Sequence, residues 1–236
     1  MIEYDDIDNR MVLKLVYYGP ALSGKTTNLL RLHDILASEG RGDLMVLDTR
    51  DDRTIFFDLL PFFMIAPGGL RIKVKVYTVP GQVRHDATRK AVLQRADGVA
   101  FIADSREAEM ANNFESFENL ERNLAFVGLD IAAVPLVLQF NKRDMVDIQP
   151  EDEIRKKWSP TGIPVIMASA LEGWGVVETF RALAGMVYDA VDRRYSLKEA
   201  QGLDKKVFVE NLSHRSDCDA HKDNEGVAPP PQRHDT

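Results

Sequence analysis

With 236 residues, 44% apolar and 28% charged, the chain can form one α/β domain with its own core plus an additional segment. Its net charge of −7 argues against nucleic-acid binding through a broad basic face, although backbone amides can hold a small anion without net charge. The single cysteine, Cys218, excludes an intramolecular disulfide and fits a reducing, cytoplasmic setting.

The acidic residues 1–10 lack the apolar segment of a secretory signal, and no apolar run approaches the ~18–20 residues of a membrane span. Ile2 and the terminal His234-Asp235-Thr236 match neither a myristoylation nor a prenylation signal. No direct membrane anchor is therefore expected, and contact with a membrane or a cell pole is expected to run through partners.

In chain order, the apolar run at residues 11–18 predicts a buried strand. A glycine-bearing turn at 19–24 leads into a predicted helix over about 25–38, with Leu29, Leu32 and Leu36 at helical spacing. Residues 44–47 predict a second strand. Leu70, Ile72, Val74 and Val76 alternate with Arg71, Lys73 and Lys75, which predicts a strand with one wet face. Residues 99–103 and 135–140 read as two further strands. Between them, Phe114, Phe117, Leu120, Leu124 and Val127 form a helical stripe expected to face the core. A last strand at 163–168 and a last helix carrying Val176, Phe180, Leu183, Val187 and Val191 complete the pattern. Strands alternating with helices predict a mainly parallel, doubly wound sheet. The composition turns polar after Tyr195, so the domain is expected to span 1–195. Residues 196–236 are expected to form a largely disordered or partner-binding tail, with one short helix near 197–208.

Gly19-Pro20-Ala21-Leu22-Ser23-Gly24-Lys25-Thr26, followed by Thr27, fits G-x-x-x-x-G-K-S/T between a strand and a helix. The glycines permit a tight turn whose amides point inward at phosphate oxygens, and the helix presents its positive end. Lys25 can reach the outer phosphates, and the Thr26 hydroxyl can ligate Mg²⁺.

Asn141-Lys142-Arg143-Asp144 follows a strand, at the sheet edge where ligands bind. A carboxylate there accepts hydrogen bonds from the N1–H and 2-amino group of guanine. Adenine offers neither, which speaks against an ATPase or P-loop kinase. Lys142 can lie along the base, Asn141 can brace the loop, and in Ala168-Ser169-Ala170 the Ala170 N–H can meet guanine O6.

These segments, with Asp52-Arg53-Thr54, Phe56-Phe57-Asp58 and Tyr77-Thr78-Val79-Pro80-Gly81-Gln82, resemble the Ras-like superfamily, and within it the bacterial MglA family of cell-polarity GTPases. The likeness spans about residues 11–191. It implies a Ras-like P-loop α/β domain that binds GTP and GDP with Mg²⁺ and hydrolyses GTP slowly. It further implies stimulation by a Roadblock/LC7-type, MglB-like regulator, and effectors in polarity or gliding motility. By the same resemblance, Thr54 closes on Mg²⁺ and the γ-phosphate, the Gly81 amide meets the γ-phosphate, Gln82 orients the attacking water and Arg53 is a built-in arginine finger. The switch segments are expected at 48–63 and 78–90.

Four features depart from the family pattern. Thr78 stands where Ras-like proteins usually carry an aspartate near Mg²⁺, a replacement that is also the habit of the MglA family. Ala21 replaces a usual glycine, and its methyl is expected to crowd the γ-phosphate region; this leaves open a GTP-locked scaffold with negligible turnover. Arg50 stands where an acidic residue is usual. In the tail, His214, Cys218 and His221 are too few for a structural zinc site.

Overall fold

Alternation along the second strand divides the molecule into two layers. Met11, Leu13, Leu15 and Tyr17 point to one face of the sheet and Val16 and Tyr18 to the other, and all six are buried. The computed structural model describes residues 3–5, 7–36, 45–47, 57–81 and 86–213. Arg53, Thr54, Gln82, Arg50, His214, Cys218 and His221 lie outside the described residues, as does most of the first switch segment.

The strands are β1 (Glu3–Asp5), β2 (Arg10–Tyr18), β3 (Met45–Leu47), β4 (Phe57–Ile65), β5 (Arg71–Thr78), β6 (Gly98–Asp104), β7 (Leu136–Asn141) and β8 (Val165–Met167). They form one sheet in the order β3-β4-β5-β2-β6-β7-β8, with β1 paired to the start of β2. The run from β5 to β8 is parallel, whereas β1, β3 and β4 join antiparallel. The carboxyl ends of the parallel strands therefore open on one edge, and the loops there carry the phosphate and base motifs.

The helices are α1 (Lys25–Leu36), α2 (Asp86–Leu93), α3 (Met110–Phe126), α4 (Glu151–Trp158), α5 (Val176–Tyr195), α6 (Leu197–Gln201) and α7 (Lys205–Ser213). α1 presents Leu29, Leu32 and Leu36 to the core it shares with α5, at the spacing an amphipathic helix requires. Phe180 of α5 stacks on Phe62 of β4 with ring centroids 4.8 Å apart. α2, α3 and α4 enclose a second core on the other face.

Three expectations are corrected. Residues 57–63, expected in the first switch segment, belong to β4, where Leu60 and Phe62 are buried and pair in register with Val76 and Val74. Phe114, expected in the core, is exposed because α3 turns Leu120, Asn123 and Leu124 inward instead. The packed body also does not stop at residue 195. α6 and α7 bury Leu197, Leu203, Phe208 and Leu212 in the same core as α5. The Tyr188 hydroxyl donates to the Leu203 carbonyl at 2.5 Å, and the Gly68 N–H donates to the Gln201 carbonyl at 2.8 Å. Each of those four side chains contributes about 1.5–3 kcal/mol on burial, enough to hold a segment whose overall composition is polar. Residues 214–236 are outside the description.

Candidate nucleotide site

The phosphate loop leaves β2 at Gly19 and enters α1 at Lys25. Gly19 sits at φ +144, where a Cβ would lie 2.2 Å from the Ile102 carbonyl oxygen. Gly24, at φ +95, would place a Cβ 2.2 Å from Asn141 Nδ2. Both positions are left-handed backbone in close contact, so only glycine fits. The Lys25 ammonium is buried and donates to the carbonyls of Gly19 (3.0 Å) and Pro20 (2.6 Å), folded across the loop. Leu22, at φ +61, is 85% exposed at the crest of the loop. Beneath it the buried Ser23 hydroxyl has no hydrogen-bond partner among the described residues.

α1 begins at Lys25, so the amides of its first turn meet the loop with no helical acceptor behind them. Thr26 is exposed in that turn, and Thr27 is half-buried. A ring of backbone donors, an orphaned hydroxyl and a lysine fits a polyphosphate. The Thr26 hydroxyl is the described group that would hold a metal ion bound with it.

Thr78 ends β5 and is buried, and Gly81 lies three residues on. A Cβ on Gly81 would stand 2.3 Å from Ala21 Cα and 2.5 Å from Ala21 N. The second switch segment therefore starts in backbone contact with the phosphate loop. Its seat is fixed by Arg89 of α2, which is buried and donates to the carbonyls of Pro80 (3.0 Å) and Gly81 (2.8 Å) and to Asn119 Oδ1 (2.6 Å). Tyr18 also donates to Asn119 Oδ1. The Asn123 amide reaches the Tyr18 hydroxyl at 3.1 Å and Asp86 at 2.9 Å. Hydrogen bonds from Lys90 and Asn123 hold the Asp86 carboxyl down at about 2, so it stays ionised as the anchor of α2. Between this network and the phosphate loop lies a cleft of about 330 Å³.

On the base side, Asn141 ties the loops together. Its amide donates to the Ser23 carbonyl at 2.8 Å, and its Oδ1 accepts the Ala170 N–H at 2.8 Å. The donor expected to meet guanine O6 is thus engaged within the protein, and serving both acceptors would take a shared, three-centre bond. Asp144 is exposed and accepts from the buried Ser169 hydroxyl at 2.5 Å, which aims the carboxylate. Lys142, at φ +66, extends its ammonium to Asp104 at 2.6 Å. Arg106 grips the same carboxylate at 2.7 Å. Burial pushes the Asp104 carboxyl up, but Arg106 and Lys142 outweigh it, so Asp104 sits below the usual carboxylate range and stays charged.

Asp104, Arg106, Arg89 and Asn119 escaped the sequence reading. Asp104 left one legible signal, its place just after the apolar run 99–103 at the ligand-binding edge of the sheet.

A mainly parallel sheet with a phosphate loop after β2 and a guanine-type carboxylate after β7 defines a Ras-like P-loop guanine-nucleotide-binding protein. No protein-family model matches the chain. Over 174 residues it is 46% identical to Mutual gliding-motility protein MglA of Myxococcus xanthus, a match covering 74% of this chain and 89% of that protein. It is also 26% identical over 179 residues to Ras-related protein RabG2 of Dictyostelium discoideum, covering 75% of this chain and 83% of that protein. The chain belongs to the MglA-type family of Ras-like small GTPases. Guanine-nucleotide binding and GTP hydrolysis, in general terms, follow from that membership.

Proposed function

We propose that the chain is a Mg²⁺-dependent molecular switch that controls gliding motility or cell polarity, with slow hydrolysis accelerated by a Roadblock/LC7-type regulator. The switch reading is carried by one observation, the seat of Gly81 directly on the backbone of Ala21. A ligand that fills the outer end of the phosphate loop must meet Gly81, so the loop's occupancy and the position of 78–90 are linked. The motility reading rests on the 46% identity to a gliding-motility protein.

In this reading Lys25 and the loop amides hold the polyphosphate, and the Thr26 and Thr54 hydroxyls hold the metal. When bound, Mg²⁺ supplies positive charge at the phosphate oxygens. Gln82 orients water, and Arg53 offers its guanidinium to developing charge, a role that elsewhere contributes about 10³–10⁵ in rate. Single-turnover hydrolysis, with and without a Roadblock-type partner, tests this. Arg53→Ala and Gln82→Leu should each bind GTP nearly as the parent does and lose stimulated hydrolysis by about 10³-fold. Unchanged turnover, or lost affinity in both, defeats the reading.

Ala21 favours a second reading, a GTP-locked scaffold, because its backbone lines the same cleft as Gly81. Removing the methyl with Ala21→Gly should raise stimulated turnover. An equal rate in the two proteins would mean that the backbone relaxes around one methyl group.

A further inference from the structure

Helices cover the sheet unevenly. α2 and α3 lie over Val16 and Tyr18 at one end of β2, but among the described residues no helix covers the other end of that face. Three strands meet there in register. Arg10 of β2 stands opposite Arg71 of β5, and Lys14 opposite Lys75, with Lys73 opposite Val12 between them. On the flank, β4 sets Phe63 beside Lys73 and Ile65 beside Arg71. Phe63 is 49% exposed and Ile65 59% exposed, and the Lys73 ammonium lies 4.8 Å from the centre of the Phe63 ring.

Among the described residues, none of the five cations forms an ion pair. Lys14 donates to the Gln94 carbonyl and Arg71 to the Asp8 carbonyl. Asp97 accepts the Lys14 backbone N–H at 2.8 Å. On the other flank, β1 sets Asp5 opposite Arg10 and Glu3 opposite Val12 in the same rows, and an Asp5 oxygen accepts two backbone N–H groups. Burial and the nearby Lys75 and Arg10 lower the Lys73 ammonium, as a crowd of like charges should.

Like charges placed directly opposite one another on a sheet work against its stability. This chain accumulates two such pairs on one open face despite a net charge of −7. Glu3 and Asp5 offset the Arg10 end of this face, which leaves the excess of positive charge at Arg71, Lys73 and Lys75 of β5. Acidic residues farther off than a Debye length of roughly 8 Å are largely screened from it. We propose that the open face of β2, β4 and β5 docks the protein directly on an anionic lipid surface, the five cations meeting headgroups and Phe63 and Ile65 entering the interfacial layer. The spread of the charge favours lipid over an acidic protein: the cations are distributed over two strands rather than gathered in a pocket. Protein hot spots are side chains seated in pockets, whereas this face sets rows of cations along β2 and β5 beside the exposed Phe63 and Ile65 of β4. This face would supply membrane contact by electrostatics and shallow apolar burial.

Flotation of the full, GDP-loaded chain with phosphatidylserine–phosphatidylcholine vesicles tests the proposal, with pure phosphatidylcholine vesicles for comparison. Binding should be confined to the anionic vesicles and should fall as salt rises. Lys73→Glu with Lys75→Glu should weaken it at least about tenfold, since each cation near such a surface matters individually. Phe63→Ala with Ile65→Ala should weaken it several-fold while keeping its salt dependence. Nucleotide affinity and circular dichroism should match the parent in both variants. Lys156→Glu with Lys157→Glu, on the exposed face of α4, should leave vesicle binding unchanged. Three results overturn the proposal. One is no binding to anionic vesicles at low salt. Another is equal losses from the β5 and α4 charge reversals. The third is capture of poly-glutamate without vesicle binding, which would reassign the face to an acidic protein.

Discussion

Asp144→Ala is expected to lower GTP affinity by about 10²–10⁴-fold and to erase the preference for guanosine over adenosine triphosphate. A charge-assisted hydrogen bond contributes about 1.5–3 kcal/mol, and the carboxylate is placed to accept two of them from guanine. Adenine cannot make either bond, so the same carboxylate penalises ATP in the parent and no longer does in the variant. The aim of Asp144 depends on Ser169, whose buried hydroxyl donates to it at 2.5 Å and accepts the Glu172 N–H at 3.2 Å. Ser169→Ala should therefore act in the same direction with a smaller loss, about tenfold, because it removes the charge-assisted bond that aims the carboxylate but not the carboxylate itself. Competition between GTP and ATP for a fluorescent GDP analogue measures both. Retained guanine selectivity in Asp144→Ala would show that another group reads the base.

How much could be read without coordinates depended on whether the interacting residues are neighbours in the chain. The phosphate loop and the Asn141–Asp144 turn are contiguous, and each needs particular residue types at fixed spacing, so both stood out. The parallel sheet followed from short apolar runs separated by helical periodicity. Arg89, by contrast, works through Pro80, Gly81 and Asn119, and Asp104 works through Lys142, nearly forty residues on along the chain. Nothing local distinguishes such an arginine or aspartate from an exposed one. β4 was hidden because Phe57–Ile65 is apolar almost throughout and contains Pro61, which obscures the period of two. A short helix near 197–208 was legible, but the docking of α6 and α7 was hidden because four buried side chains are scattered among charged ones. Their fixation comes from α5 and the β4–β5 turn rather than from local propensity.

Gly24→Ala should damage both halves of the nucleotide site with a single methyl. The new Cβ would sit at φ +95, a conformation that costs a residue with a side chain about 1–3 kcal/mol. It would also fall 2.2 Å from Asn141 Nδ2, the group that donates to the Ser23 carbonyl. Expelling that amide leaves two buried partners unsatisfied at once, the Ser23 carbonyl and the Ala170 N–H that Asn141 Oδ1 accepts. Each unsatisfied group costs about 1–3 kcal/mol, so phosphate loop and base loop should fail together. GDP affinity is expected to fall by about 10³-fold or more, with a lowered unfolding midpoint. The mechanism has a signature beyond loss of function. If the methyl acts by displacing Asn141, it should do much less harm where Asn141 is already alanine. The double-mutant cycle on GDP affinity should then be sub-additive by about 1–2 kcal/mol, within the range seen for residues in direct contact. Simple additivity would mean that Gly24 matters only for its own backbone conformation, and that the two halves of the nucleotide site are held independently.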